Sequence, residues 1–227
     1  MQNLSVIIPS KTASNFLRSA GAVRRHEPER RIILVDDGMD LSWMPRPDLM
    51  PCYGIKGVKP FIFARNVNIG IRFADPDDVV ILNDDAQLES PEGFSLMQQA
   101  AEDHPEYGLI GAVTNNVGNP NQFRQAGAKL RFESRMVCFT CVLIPRRTIK
   151  RIGLLDEAYE GYGCEDDDYC LRVRRSGLWI GIHDGCYVDH RSLPSSFRGP
   201  SGNGGDFRKN LEIFKTKWGV DNHGRPA

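Results

Sequence analysis

The sequence predicts an α/β fold, a single domain in which a mostly parallel, mixed sheet is flanked by helices. Short apolar runs rich in β-branched residues are typical of buried strands, and three occur as "LSVIIP", "RIILVDDG" and "DDVVILNDDA". The segment "SNFLRSAGAVRRH" between the first two has helical character, which gives a β-α-β unit and hence parallel strands. With 227 residues, 41% of them hydrophobic and 26% charged, the chain can bury a globular core.

The remaining elements of the first half continue this alternation. After the second strand, residues 39–60 contain several prolines and predict no regular element. A helix is predicted over "FARNVNIGIRFA", and the strand in "DDVVILNDDA" follows it. The serine-proline start of "SPEGFSLMQQAAEDH" is typical of a helix N-terminus, and "YGLIGAV" predicts a fourth strand.

The second half alternates less regularly, which predicts a mixed sheet. Strands are expected in "GAKLRF", "SRMVCFTCVLIP" and "LWIGIHDGCYVDH", and helices in "RRTIKRIG" and from Glu165 to Gly177. The last helix, "DFRKNLEIFKTKWG", is amphipathic, because its large apolar residues recur on one face: Phe207, Leu211, Phe214 and Trp218. The glycine-rich stretch 199–205 before it predicts a flexible loop.

Composition excludes several classes of protein. Lysine plus arginine and aspartate plus glutamate both number 29, so no bulk charge indicates nucleic acid or a membrane surface. The start of the chain lacks the pattern of a signal peptide, and no apolar run is long enough for a membrane span. Cys138 and Cys141 have CxxC spacing, but inside a predicted strand their side chains point to opposite faces, which favours buried thiols. A cytoplasmic protein is expected.

Polar residues follow the predicted parallel strands, at the edge where ligands bind in open α/β sheets. They are Ser10, Asp36, Asp37, Asn83, Asp84 and Asp85, and Pro9 directly precedes the first of them. Each group alone could be a turn or a helix cap, but several acids on one rim repel each other unless a cation lies between them. Carboxylates at such an edge suit Mg²⁺ or Mn²⁺ with a diphosphate. No glycine-rich phosphate loop is present, so Arg65 is a candidate for phosphate binding, or else a surface arginine.

The motifs, taken in order, resemble those of family 2 glycosyltransferases with the GT-A fold. They are "VIIPSK", "ILVDDG", "ARNVNIGI", "VVILNDDA", "VCFTCVLIPRRTIKRIGLLDEAY", "GCEDDDYCLRVRRSG", "VDH" and "NLEIFKTKWG". The resemblance implies a GT-A-like, Rossmann-related domain over residues 1–227. It also implies a nucleotide-sugar-binding half, 1–115, and an acceptor-binding half with the catalytic base, 116–227. Such enzymes use a nucleotide-diphosphate sugar, here most simply a UDP-sugar, with Mn²⁺ or Mg²⁺, and transfer with inversion.

The resemblance also implies roles for individual residues. Pro9, Ser10, Asp36 and Asp37 would bind the base and ribose of the donor. Arg65 and Asn66 would lie near the base or the diphosphate. "NDD" would stand for the family's DxD motif, with Asn83 in place of the first acid. Asp85 would carry the metal, and Asp84 would either share it or lie beside the donor. His190 in "VDH" would complete the metal site, although a histidine at a strand end is more often structural.

Four consecutive acids, residues 165–168, begin the helix predicted from Glu165. Helical spacing places Asp166 on the apolar face with Tyr169 and Val173, whereas Asp168 falls on an exposed face. Asp167 aligns with Leu171 and Arg174. Arginines one and two turns later would pair with Asp168. A base needs an ionised but desolvated carboxylate, and the family places its base in this "ED" pair. Asp166 is therefore the predicted base. Glu165 is expected to bind the acceptor, or to be the base if the register shifts by one.

Two other functions remain compatible with the sequence. A sugar nucleotidyltransferase would share the sheet and the metal acids but usually needs a glycine-rich loop after the first strand. A catalytically inactive nucleotide-sugar-binding module is the other alternative. The acceptor of a glycosyltransferase would be a glycan or another hydroxyl-bearing molecule. A hydroxylated DNA base is included, because residues 124–151 are locally basic: Arg124, Lys129, Arg131, Arg135, Arg146, Arg147, Lys150 and Arg151. The same charges could be solvated surface.

Overall fold

The computed structural model describes residues 3–39, 44, 46–126, 129–192 and 204–225, with side chains from 207 onward in the last range. Within this part of the chain, nine strands form one sheet. They are β1 (Leu4–Ser10), β2 (Arg31–Asp36), β3 (Cys52–Lys56), β4 (Asp78–Leu82), β5 (Gln87–Leu88), β6 (Tyr107–Thr114), β7 (Leu130–Glu133), β8 (Cys141–Ile144) and β9 (Trp179–Asp189). The helices are α1 (Ala13–His26), α2 (Phe63–Phe73), α3 (Gly93–Asp103), α4 (Arg146–Ile152), α5 (Glu165–Arg175) and α6 (Gly204–Trp218).

Sheet topology brings the predicted site residues to one edge. The strand order is β3-β2-β1-β4-β8-β6-β9-β5, with β7 paired to β9. Pairings of β1 with β2 and β4, of β2 with β3, and of β6 with β9 are parallel, whereas β8, β5 and β7 run the other way. The C-terminal ends of β1, β2 and β4 therefore lie side by side, and β9 carries residue 189 to the same edge.

Apolar residues on the two faces of the sheet form two core layers. One layer joins β1, β2 and β4 to α1 and α3, and the other joins the opposite faces of those strands to α2 and α5. Alternate residues of β1 show the division, since Val6 and Ile8 belong to the first layer and Ile7 to the second. A smaller buried cluster, formed by Tyr159, Cys164 and Phe214, packs α6 beside α5.

The structure corrects the sequence prediction in several places. The proline-containing stretch holds an edge strand, β3, and the two-residue strand β5 was missed because so short a pairing leaves no periodicity. The strand expected over 134–145 is reduced to β8, so Cys138 lies in a loop, and its thiol, like that of Cys141, is free. Phe207 is 40% exposed rather than packed with Phe214. The flexible loop predicted at 199–205 lies mostly outside the described residues.

Residues on both sides of position 115 build the same sheet. β8 lies between β4 and β6, so a strand from the second half of the chain completes the sheet of the first half. The functional division at 115/116 stays a prediction. No helix in the described part of the chain combines the length and apolarity that crossing a bilayer requires.

Candidate active site

The ends of β1 and β4 are joined by a direct hydrogen bond. Ser10, the last residue of β1, donates its hydroxyl to Asp84 Oδ2 at 2.6 Å, and both residues are buried. Pro9 precedes it within β1 and is buried. Asn83 is only partly buried, and its amide N–H bonds the Thr140 carbonyl beside β8. Ser10 and Asp84 therefore fix the spacing of the two strand ends that the sequence singled out.

The acids at the end of β2 have different surroundings. Asp36 Oδ1 accepts the amide N–H groups of Gly38 and Met39 at 2.9 and 2.6 Å, which closes the turn after the strand. Asp37 is buried, and its carboxylate accepts Lys59 Nζ at 2.8 Å and Asn66 Nδ2 at 3.3 Å. Asp36 thus shapes the turn, whereas Asp37 holds a lysine and an asparagine from two other segments.

Arg65 lies apart from this group. Its Nε is 3.5 Å from Glu157 Oε2, in the loop after α4, and Arg72 Nη2 is 3.9 Å from the same carboxylate group. Asn66, one residue further along α2, is fully buried and faces Asp37 instead. The two neighbours therefore point to different regions, and only Asn66 joins the strand-end residues.

Asp85 and His190 meet across the sheet. Asp85 Oδ1 lies 3.1 Å from His190 Nε2, and both side chains are buried. His190 Nδ1 lies 2.6 Å from the Asn116 carbonyl oxygen, which can only accept, so Nδ1 carries a proton. In a neutral ring the lone pair of Nε2 then faces a carboxylate, an arrangement that requires a proton or a cation between the two groups.

This pair fits a divalent cation. Bonds of about 2.1 Å at right angles place adjacent ligand atoms of an octahedral ion about 3.0 Å apart, close to the Asp85–His190 separation. The hydrogen bond from Nδ1 to a backbone carbonyl is the usual orienting contact of a metal-binding histidine. Among the described residues, no group of three or more His, Cys, Asp or Glu side chains that could hold a metal is found.

A cleft of ≈ 620 Å³ opens between the loops after β6 and β7, the start of α5 and the segment after α6. Asp166, Asp167 and His190 all line it. Its other walls include Asn116, Gly118, Arg135, Met136, Cys138, Thr140, Tyr162, Gly163, Phe207, Asn222 and His223. The predicted base and the predicted metal-binding histidine therefore face one pocket of the size that small ligands occupy.

The four acids at the start of α5 have separate environments. Asp166 is partly exposed to the cleft, and its Oδ1 accepts the amide N–H of Asp167 at 2.8 Å. Glu165 is 3% exposed, and its Oε2 accepts the amide N–H of Gly163 at 2.5 Å. Asp167 is buried and accepts Asn222 Nδ2 at 3.5 Å. Asp166 is thus the acid of this group that both faces the cleft and is open to solvent.

The expectation that Asp168 lies on an exposed face was wrong. Asp168 is fully buried and accepts four donors: Tyr159 Oη, Arg172 Nε, Lys217 Nζ and Trp218 Nε1. Its predicted ion pair with Arg172 is present at 2.8 Å, whereas Arg175 lies over the Trp218 ring instead. Helical periodicity missed the burial because α6 covers a face of α5 that would be exposed in a helix packed on one side only.

Burial perturbs the ionisation of three of these acids. Desolvation, followed by the charge of Asp166, raises the pKa of Glu165 and that of Asp167 to about 8 each. Desolvation also raises the pKa of Asp166, while hydrogen bonds from backbone amides, chiefly that of Asp167, act in the opposite direction. Three close carboxyl groups with raised pKa values are typical of a site for proton transfer.

Several cleft residues were not predicted as site residues. Asn116 lies in a loop with no distinctive sequence signal, and Asn222 and His223 follow the last helix. Arg135 was counted only as part of a basic stretch, yet its Nη1 bonds the Asn222 carbonyl and approaches His223 Nδ1, both at 3.3 Å. Burial raises the pKa of the Cys138 thiol to about 12, so that thiol is a weak nucleophile.

The locally basic stretch keeps five of its eight basic residues exposed: Arg124, Lys129, Arg147, Lys150 and Arg151. All six of its arginines have partners within the protein: Arg124 on the Tyr187 ring, Arg131 on Asp184, Arg135 on Asn222, Arg146 on Asp75, Arg147 on the Tyr107 carbonyl and Arg151 on the Ser176 carbonyl. The charge of this stretch alone does not identify a DNA acceptor, and that hypothesis stays unsupported.

The sequence matches a family model and one curated relative. The model described as glycosyl transferase family 2 matches residues 5–161, and so ends before the four acids. "Uncharacterized protein y4gI" of Sinorhizobium fredii (strain NBRC 101917 / NGR234) is 22% identical over 265 residues, covering 99% of this chain. This chain spans only 28% of the length of that relative.

Two solved structures share the architecture. GalNAc-T7 with UDP, GalNAc and Mn²⁺ aligns with a TM-score of 0.73 at 11% identity, covering 98% of this chain and 49% of that one. Mannosyltransferase PcManGT from Pyrobaculum calidifontis, in complex with GDP-Man and Mn²⁺, aligns with a TM-score of 0.66 at 16% identity, covering 86% and 59% respectively. At such identities the likeness concerns the fold, and it confirms the predicted α/β class.

Proposed function

The chain belongs to glycosyl transferase family 2, as its motifs predicted, and on that premise we propose that it is an inverting glycosyltransferase. It moves a sugar from a nucleotide-diphosphate sugar to the hydroxyl of an acceptor. The observation that carries the proposal is the shared cleft. Asp166 lines the same pocket as His190, and His190 Nε2 is 3.1 Å from Asp85. This shared lining supports a reaction in which Asp166 acts as the base and His190, with Asp85, holds the metal.

The donor binds at the strand-end edge in this proposal. Pro9, Ser10, Asp36 and Asp37 surround the base and ribose, and the Lys59–Asp37–Asn66 contacts hold that side of the site in place. Asn83 and Asp84 lie next to the metal-binding Asp85, towards the diphosphate. Arg65 reaches this region only if it leaves Glu157. UDP is the first nucleotide to test; GDP is the second, since one structural relative carries it.

Asp85 and His190 are the residues that would hold Mn²⁺ or Mg²⁺. A bound divalent cation supplies positive charge to the leaving diphosphate. Asp166 takes the proton of the acceptor hydroxyl while that oxygen forms its bond to the anomeric carbon and the bond to the diphosphate oxygen breaks. Glu165, which the sequence predicted as the acceptor-binding residue, is buried and accepts the Gly163 amide, so its part in this proposal is to hold the Tyr162–Cys164 rim of the cleft.

A screen of UDP- and GDP-sugars with Mn²⁺ tests the proposal. We expect metal-dependent thermal stabilisation by one donor and transfer of its sugar with inverted anomeric configuration, read by NMR. Release of pyrophosphate from a nucleoside triphosphate would instead indicate a sugar nucleotidyltransferase. Stabilisation without turnover by any acceptor or water would indicate a binding module, and retained configuration would overturn the role of Asp166.

A further inference from the structure

A second pocket of ≈ 360 Å³ adjoins the cleft. Five residues line both cavities, so the two share a wall: Arg135, Met136, Asp167, Asn222 and His223. Asp167 follows Asp166 directly in the chain and lies at the boundary. A molecule whose reacting group sits beside Asp166 would reach the second pocket by crossing the boundary that Asp167 and Asn222 form.

The segment 219–225 forms the outer wall of this pocket. It is a closed turn, in which Asp221 Oδ1 accepts the amide N–H groups of His223 and Arg225, both at 2.9 Å. The turn contacts the rest of the protein where Arg135 Nη1 bonds the Asn222 carbonyl and Asn222 Nδ2 bonds Asp167. The segment 219–225 is thus held against the protein by Arg135 and by Asp167, which both line the two pockets.

The lining of the second pocket is amphipathic. Leu171, Phe214 and Val220 supply apolar surface, while Ser134 and Arg174 are exposed polar residues at its rim. A ring with apolar faces and hydroxyl-bearing edges matches this combination of an apolar wall and polar groups. Charged groups of both signs also lie in the lining, among them Arg135, Arg174 and Asp221.

We propose, resting on the function proposed above, that the acceptor is a saccharide of at least two sugar units. The unit with the attacked hydroxyl lies beside Asp166, and the next unit occupies the pocket between α5, Ser134 and the segment 219–225. The second pocket then acts on acceptor binding, and its effect falls on KM more than on kcat.

Acceptor panels test this length requirement directly. Methyl glycosides of glucose, galactose, mannose and N-acetylglucosamine are compared with disaccharides that carry the same unit at the non-reducing end. Transfer is measured with the active donor and Mn²⁺, and binding to the donor-loaded protein is measured by saturation-transfer NMR. We expect kcat/KM about tenfold or more higher for the best disaccharide, an effect equal to one further contact of ordinary strength.

Two variants act on the second pocket alone. Ser134→Trp fills it, and Arg174→Ala removes a polar rim group; both positions are exposed, so the fold is retained. Each variant should raise the KM for the disaccharide. The ratio of kcat/KM for the disaccharide to kcat/KM for the monosaccharide should therefore fall towards one. Arg18→Ala, on the exposed face of α1, is the matched control and should keep the preference.

The outcomes separate this inference from the proposed function. Equal kcat/KM for mono- and disaccharides, or an undiminished preference in Ser134→Trp, would overturn the inference while transfer itself continues. If no sugar in the panel is glycosylated and no disaccharide binds more tightly than its monosaccharide, the inference is also wrong. Mn²⁺-dependent binding of the donor in the same samples reports independently on the proposed function.

Discussion

Replacement of Asp168 by asparagine should destabilise the fold and displace the N-terminal end of α5, which carries the proposed base. Asp168 is fully buried, and its carboxylate accepts hydrogen bonds from two helices. Arg172 donates from α5, and Lys217 and Trp218 donate from α6. Its carboxylate is therefore the main polar link between α5, which carries Asp166, and α6, which leads into the segment 219–225. Asparagine keeps the shape of the side chain but removes the charge and one acceptor oxygen.

The expected cost is about 3 kcal/mol of unfolding free energy. Removal of one partner of a buried ion pair typically costs about 3–5 kcal/mol, because the other charge is left buried. The lower end applies here, since Lys217 is 32% exposed and keeps Asp156 at 2.6 Å, and Arg172 is 18% exposed. For a chain of this size, that loss lowers Tm by about 6–12 °C.

Urea unfolding of wild type, Asp168→Asn and Asp167→Asn measures this difference, with unchanged m-values as the condition for comparison. Asp167 is the matched control. Its pKa of about 8 in the folded state exceeds the usual 3.8, so the folded state loses stability as pH rises from about 4 to about 8. Asp167→Asn should therefore be neutral or stabilising at pH 8. A loss under 1 kcal/mol for Asp168→Asn, or equal losses in both variants, would refute this reasoning.

Three further predictions concern the site itself. His190→Ala should abolish stabilisation by Mn²⁺ with donor in a thermal shift assay, and an unchanged shift would remove His190 from the metal site. Lys59→Ala should raise the donor KM several-fold with kcat nearly constant, because Lys59 holds Asp37 from a 65% exposed position; a lower kcat at constant KM would contradict this. Glu165→Gln should flatten the fall in stability between about pH 4.5 and 8, since the pKa of Glu165 is raised to about 8. Urea midpoints across that range check it, and an unchanged slope would count against a buried, perturbed Glu165.

The sequence predicted those parts of the fold that rest on local patterns. Apolar runs such as "VVIL" identified the central strands, and the position of Asp36, Asp84 and Asp85 after them followed from parallel topology. β3 was missed because its burial is limited, with Tyr53 exposed at this edge of the sheet. β5 was missed because two residues carry no period.

The site was predictable only where its residues lie at the ends of regular elements. Asp166 lies at the start of α5 and His190 directly follows β9, and both line one cleft. Asn222 and Arg135 lie in loops instead, and their contacts join segments far apart in the chain. The burial of Asp168 depends on α6, so no pattern within α5 could reveal it.

The most direct test of the central claim is a comparison of kcat and donor affinity in Asp166→Asn. A general base contributes about 10²–10⁴-fold to rate, so kcat for sugar transfer should fall by that factor while the donor Kd stays within about threefold. Asp103→Asn, an exposed aspartate on α3, is the matched control and should keep wild-type kcat. A kcat for Asp166→Asn within about tenfold of wild type, or a parallel loss of donor binding, would contradict the assignment of Asp166 as the base.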